Sequence, residues 1–146
     1  MANEVDVELI QVEGLTLIAR AGSGHWVSMD SSPEFSGYDA ATRPFELFLV
    51  SLAGCTAMDV IAILSKMRVP FKKLRVKLHA VRKDTHPKIP AKIEMTYIIE
   101  GNPEKISPES VEKAIKLSQD KYCSVSAVVK KAGIPVEWNY KIVEGD

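Results

Sequence analysis

The sequence predicts a single α+β domain over residues 1–146, in which antiparallel sheets wrap around a long buried central helix. Three observations lead to this prediction. Residues 43–67 form an almost uninterrupted apolar stretch, and segments on either side of it alternate apolar and polar side chains, as half-buried strands do. The order of the predicted elements is three strands, a long helix, a hairpin, shorter helices and a last strand, which favours the α+β class.

The central helix is predicted to be apolar on every side. A helix of this kind belongs inside a fold, and about 24 residues would extend roughly 36 Å. Pro44 suits the first turn, where its missing N–H costs nothing. The stretch is also long enough to suggest a membrane span, but Glu46, Asp59 and Lys66 interrupt or end it. We therefore expect a buried helix of a soluble protein.

The remaining elements follow from local patterns. Glycine-containing turns separate three short antiparallel strands at residues 5–12, 15–20 and 25–30. A loop over residues 31–42 leads into the central helix. Beyond it we expect a hairpin at residues 74–82 and 92–100, a helix capped by Ser107 with Pro108 in its first turn, a further helical segment ending at Gly133, and a last strand at residues 134–142.

The composition limits the classes of function. Nineteen basic residues balance nineteen acidic ones, so nothing indicates binding to nucleic acid or to an anionic membrane. The first residues carry no signal-peptide pattern, and we expect a cytoplasmic protein. Neither a nucleotide-binding glycine motif nor a metal-binding spacing of its scattered histidines is present (His25, His79, His86), so no cofactor is expected.

Cys55 and Cys123 are the main candidates for chemistry. Cys55 follows Gly54 in the apolar stretch, where an unpaired cysteine is also common as a small core residue. Cys123 lies in a polar segment beside Lys121, a setting that lowers the pKa of a thiol. The two could form one reversible disulfide if their Cα atoms come within ~7 Å. Asp59, one turn after Cys55, is interpreted as structural, either accepting a hydrogen bond or binding a cation.

Arg43 and Glu46 are the second candidate pair. They form either an ordinary charge pair at a helix start or an arginine that stabilises a thiolate, held in place by a glutamate. Along an unbroken helix Arg43 would lie roughly 18 Å from Cys55. It would reach the thiol only after a break in the helix or from a second subunit. Arg20 and Arg68 are alternative cations.

Three motifs resemble the OsmC/Ohr family of thiol peroxidases, and the likeness covers nearly the whole chain. They are Arg43-Pro-x-Glu-Leu-x-Leu, Leu52-x-Gly-Cys-Thr-x-Met-Asp59 and Lys121-Tyr-Cys-Ser-Val-Ser126. The resemblance implies an intertwined homodimer with two sites at the subunit interface. It also implies that Cys55 attacks a peroxide to form a sulfenic acid, which Cys123 resolves as a disulfide.

The resemblance carries over differently for the charged residues. In the organic-hydroperoxide-resistance branch of the family a glutamate directly follows the proline, whereas here Phe45 holds that place and Glu46 comes next. The arginine of that branch lies in the N-terminal strands, where Arg20 corresponds to it, and Arg43 is the alternative.

The two cysteines and the family resemblance together lead us to expect a peroxidase that reduces organic hydroperoxides, is regenerated by a dithiol reductant and uses no metal, haem or flavin. The alternative is a non-catalytic small-molecule-binding or structural dimer of the same fold. Five side chains would then line an apolar pocket (Phe45, Phe48, Tyr38, Met58, Met67). Thiol titration separates the two functions, because a binding protein does not need a cysteine of low pKa.

Overall fold

A computed structural model describes residues 3–145 and confirms the α+β class. Within these residues the chain forms two three-stranded sheets, together with α-helices and short helical turns. The chain divides into two compact units between Phe48 and Leu49. That residues 1–146 form a single domain stays a prediction.

The first unit contains a small antiparallel sheet in the order β1-β2-β3, as predicted. Its strands are β1 (Glu8–Glu13), β2 (Thr16–Arg20) and β3 (Val27–Met29). The turn between β1 and β2 contains Gly14, whose φ of 58° is favourable for glycine. All residues of β1 are exposed in the single chain.

Asp30 fixes the loop that follows β3. The residue is 2% exposed, and its carboxylate accepts a hydrogen bond from Thr16 Oγ1 at 2.8 Å. It also accepts backbone N–H groups of the loop, from Ser31 at 2.7 Å, Tyr38 at 3.3 Å and Ala40 at 3.2 Å. Burial raises the pKa of Asp30, but these hydrogen bonds together outweigh it and lower the pKa below its usual range. The loop is thereby attached to the sheet.

The central helix α1 is continuous from Pro44 to Lys66. Its buried residues form one stripe with a spacing of four (Leu52, Thr56, Val60, Leu64). The expectation of burial on every side is met on this stripe only, since Met58 is 73% and Val50 59% exposed in the single chain. By length and composition α1 would pass for a membrane span, a test that the core helix of a soluble protein also passes.

The second unit contains a mixed sheet in the order β4-β5-β6, formed by Phe71–Arg82, Pro90–Gly101 and Val136–Glu144. β4 and β5 form the predicted hairpin. β6, however, runs parallel to β5, with Tyr97 opposite Tyr140, which corrects the prediction of purely antiparallel sheets. The physical reason is the long helical connection between β5 and β6, because a crossover of a dozen or more residues permits parallel pairing.

Two helices and a π-helical turn form this crossover. Helix α2 (Pro108–Leu117) begins as predicted, with Ser107 Oγ accepting the Ser110 N–H at 3.3 Å. The π-helical turn Ser118–Tyr122 joins it to helix α3 (Ser124–Lys131). π-Helical turns are rare in proteins, but those that occur are often found at functional sites. This one places Cys123 at the N-cap of α3.

Candidate active site

The two cysteines lie side by side, although 68 positions separate them in the sequence. Their Sγ atoms are within 4.8 Å of one another, and both thiols are free. Cys55 lies in the middle of α1 and is half-buried, whereas Cys123 is only 2% exposed. The structure therefore brings together the pair of thiols that the sequence singled out.

Cys123 lies in an environment that differs from the predicted one. Burial, the largest cause, raises the pKa of its thiol to about 11, and Cys55 acts in the same direction. The N–H of Ser126, 3.3 Å from Sγ, lowers the pKa but does not outweigh burial. The prediction of an acidic thiol at Cys123 is wrong, because burial outweighs the causes that lower its pKa. The Lys121 ammonium lies over the Tyr122 ring, 5.3 Å from its centroid.

Asp59 joins the two cysteines in one cluster. One of its carboxylate oxygens lies within 4.8 Å of both sulfur atoms. The carboxylate accepts a hydrogen bond from Ser118 Oγ at 2.9 Å, as expected for a structural acceptor. All three side chains of the cluster are metal-ligand types. Spacing along the sequence does not reveal this set, because Cys123 comes from an element far from Cys55 and Asp59 in the chain.

A network of buried polar side chains adjoins the thiols, and the sequence analysis missed it. Its members are Thr56, Tyr97, Ser118, Gln119 and Ser126. Four contacts of 2.7 Å join them: Thr56 Oγ1 to Tyr97 Oη and to Ser118 Oγ, Gln119 Nε2 to Tyr97 Oη, and Ser126 Oγ to Gln119 Oε1. Among residues 3–145, no buried side-chain polar atom lacks a partner. One signal was available, since Thr56 interrupts the apolar stripe of α1.

The hydrogen bonds of this network have a defined direction. A carboxylate only accepts, and each hydroxyl has one proton to donate. With Ser118 donating to Asp59, Thr56 donates to Ser118, and Tyr97 donates to Thr56. The amide of Gln119 donates to Tyr97. Burial raises the pKa of Tyr97, so it keeps the phenolic proton that this arrangement requires.

Arg43 and Glu46 lie at the start of α1. The Arg43 guanidinium pairs with Asp39 at 2.6 Å and donates to the Ala41 carbonyl at 2.9 Å. Its hydrogen bond with Asp39 raises the pKa of Arg43. Glu46 accepts the backbone N–H of Arg43 at 3.0 Å, which is half of a capping box. A break in the helix would have been one way for Arg43 to reach the Cys55 thiol. The helix α1 is continuous from Pro44 to Lys66, so this break is not observed.

Arg20 lies at the end of β2. Its side chain pairs with Glu8 at 3.4 Å, and its guanidinium carbon lies 4.7 Å from the centroid of the Trp26 ring. The ion pair with Glu8 and the contact with the Trp26 ring both lie at the surface of the first unit, where ion pairs and cation–π contacts contribute little to stability. A catalytic role of Arg20, Arg43 or Glu46 stays a prediction.

Comparison with known proteins gives consistent results. A family model described as OsmC-like protein matches residues 37–139. Protein YhfA of Escherichia coli K12 is 36% identical over 132 residues, which are 90% of this chain and 93% of that protein. A hypothetical protein from Aquifex aeolicus VF5 is 32% identical, with a TM-score of 0.78 over 97% of this chain and 98% of that one.

A more distant structure shares the fold. It is an organic hydroperoxide resistance protein OsmC from Legionella pneumophila, with a TM-score of 0.68 over 99% of both chains. The sequences are 14% identical, so this likeness concerns the fold alone.

Proposed function

The chain belongs to the OsmC-like protein family, and on this premise we propose that it is a cysteine-based peroxidase that reduces organic hydroperoxides. The observation that carries the proposal is the approach of the Cys55 and Cys123 Sγ atoms to within 4.8 Å. A disulfide needs about 2.05 Å, so the sulfur atoms must move by at most about 2.8 Å. The apolar side chains on either side of Cys55 in α1 suit an organic rather than an inorganic hydroperoxide.

Cys55 is the attacking residue in this proposal. It is the more accessible of the two thiols, while Cys123 is buried and its pKa is raised. The Cys55 thiolate attacks the peroxide oxygen that is distal to the organic group, and the O–O bond breaks. The oxygen joins sulfur as a sulfenic acid, so the sulfur is oxidised. The alkoxide leaves and takes up a proton to become the alcohol.

Cys123 completes the cycle as the resolving residue. Its sulfur forms a bond with the Cys55 sulfur and displaces the hydroxyl of the sulfenic acid, which leaves as water. An external dithiol then supplies two electrons and two protons to reopen the disulfide. The proposed location of the protein is a reducing cytoplasm, where such a dithiol keeps both thiols reduced between turnovers.

A cation and a second subunit also belong to the proposal. Negative charge develops on the leaving alkoxide, and a nearby cation stabilises it. Arg43 or Arg20 of a second copy of the chain is the proposed source, with Glu46 positioning Arg43. The homodimer is supported by exposed apolar side chains in both units, among them Met58 on α1 and Leu9 on β1.

Mass spectrometry of the reduced protein after one equivalent of cumene hydroperoxide tests the proposal. We expect a loss of two hydrogens per chain and a Cys55–Cys123 disulfide within one chain in a non-reducing peptide map. Cys55→Ser should abolish peroxide consumption. Cys123→Ser should keep the first turnover and leave a sulfenic acid that dimedone traps.

Two outcomes would contradict this assignment. Peroxide consumption by Cys55→Ser but not by Cys123→Ser would reverse the two roles. Free thiols after exposure to peroxide would leave the non-catalytic binding dimer as the function.

The arginines are tested by the rate of the first turnover. Arg43→Ala and Arg20→Ala are compared with Arg75→Ala, which removes an exposed arginine that pairs with Glu100 in the β4–β5 hairpin. Loss of the stabilising cation should slow the step about 10²–10³-fold, as for other donors to a developing oxyanion. Equal rates in all three variants would refute the electrostatic argument.

A further inference from the structure

We propose that the reduced protein binds one zinc-type divalent cation with the thiolates of Cys55 and Cys123 and the carboxylate of Asp59. The ligand atoms of these residues all lie within 4.8 Å of one another. In a tetrahedral site with Zn–S bonds of about 2.3 Å the two sulfur atoms are about 3.8 Å apart. The two sulfur atoms therefore need to approach one another by at most about 1 Å to bind the same ion.

The donor set selects the kind of metal. Thiolates are soft ligands that favour zinc and similar transition metals, whereas magnesium and calcium take oxygen ligands. Three protein ligands leave one of four tetrahedral positions open to water or to another molecule. Cys55 and Asp59 are half-buried and Cys123 is buried, so the cluster is partly shielded from solvent.

The surrounding structure holds the ligands in place. Cys55 and Asp59 lie one turn apart on the continuous helix α1, and Cys123 is fixed at the N-cap of α3. Asp59 accepts the hydroxyl of Ser118, and Cys123 Sγ accepts the N–H of Ser126. Hydrogen bonds of this kind orient metal ligands, and their loss typically weakens metal affinity 10–100-fold.

Metal binding and disulfide formation exclude each other. Binding of the dication displaces one proton from each thiol, because the thiolate is the ligand. A disulfide uses the same two sulfur atoms and leaves no thiolate. Reaction of the metal-bound dithiolate with one hydroperoxide and two protons gives the disulfide, the free cation, the alcohol and water. This release by peroxide rests on the proposed function, whereas the binding itself does not.

Anaerobic titration of the reduced full-length protein with Co²⁺ tests the site. We expect one Co²⁺ per chain, a thiolate-to-cobalt charge-transfer band and the strong visible bands of a tetrahedral ion, all removed by Zn²⁺. Asp59→Asn should weaken binding at least about tenfold. The matched control is Asp120→Asn, which changes an exposed carboxylate of the π-helical turn and should bind as the wild type does.

Several results would overturn the inference. They are the absence of the charge-transfer band, equal affinity of Asp59→Asn and wild type, or full binding by the double variant Cys55→Ser/Cys123→Ser. Peroxide consumption by the metal-free protein is measured in parallel. Normal consumption without metal binding refutes the metal site alone, and normal metal binding without consumption refutes the peroxidase alone.

Discussion

The variant Tyr97→Phe removes one buried hydroxyl from the polar network and keeps the aromatic ring. The Tyr97 oxygen lies 2.7 Å from both Thr56 Oγ1 and Gln119 Nε2, and Tyr97 is fully buried. Without it, the Gln119 amide retains only Thr56 Oγ1 at 3.5 Å on that side. A buried donor left without a good acceptor costs about 1–3 kcal/mol, which is a large share of a typical unfolding free energy of about 5–15 kcal/mol.

Urea denaturation measures this cost as a lower midpoint with an unchanged slope. All variants are compared at one protein concentration, because association changes the apparent stability of an oligomer. The matched control is Tyr140→Phe on the neighbouring strand, in register with Tyr97. The Tyr140 hydroxyl donates to Glu112 Oε1 at 3.0 Å in an exposed setting, so its loss should change stability by no more than about 0.5 kcal/mol.

The difference between the two variants decides the question. Equal losses of stability in Tyr97→Phe and Tyr140→Phe would show that the buried network does not contribute what its geometry indicates. A second measurement follows the rate at which the Cys55–Cys123 disulfide closes after oxidation. This rate should fall in Tyr97→Phe only, because Gln119 links Tyr97 to Ser126 and so to the segment that holds Cys123.

Three further predictions concern other parts of the chain. Because the pKa of Cys123 is raised in the folded state, its contribution to stability is present at neutral pH and is lost as the pH rises through about 11. Thermal unfolding measured at increasing pH should show a smaller fall of Tm in Cys123→Ser than in the wild type. Met58→Glu places a charge on the exposed apolar side of α1 and should convert the proposed dimer to monomers in sedimentation equilibrium; a monomeric wild type would refute the dimer. Ser107→Ala removes the α2 cap and should cost about 1 kcal/mol in urea denaturation, whereas an unchanged midpoint would refute the assigned cap.

Local signals in the sequence predicted much of the fold. The alternation at residues 74–82 and 92–100 predicted the hairpin, because the side-chain period of a strand is two wherever the strand lies. Ser107 and Pro108 predicted the start of α2 for an equally local reason. The direction of β6 could not be predicted in this way, since it depends on how α2 and α3 cross the sheet.

The candidate site was predictable in its residues but not in its environments. Cys55 and Cys123 stood out as residue types, and the structure brings them together. Neighbours in the sequence suggested a polar setting for Cys123, but its pKa is governed by burial, which depends on packing between distant elements. The grouping of Asp59 with both thiols depends on the same packing. Of the buried polar network, only Thr56 could be noticed in the sequence, because it is a polar residue in an otherwise apolar stripe of α1.

The polar network connects the Cys123 thiol with the Asp59 carboxylate through an unbroken series of hydrogen bonds. In order, its members are Cys123, Ser126, Gln119, Tyr97, Thr56, Ser118 and Asp59. The two ends of the series lie near each other, because the Asp59 carboxylate is within 4.8 Å of Cys123 Sγ. Each hydrogen bond orients the group that makes the next one, so any one substitution interrupts the series. The free-energy costs of two substitutions within it should therefore be less than additive, since the second change acts on a series that the first has already interrupted.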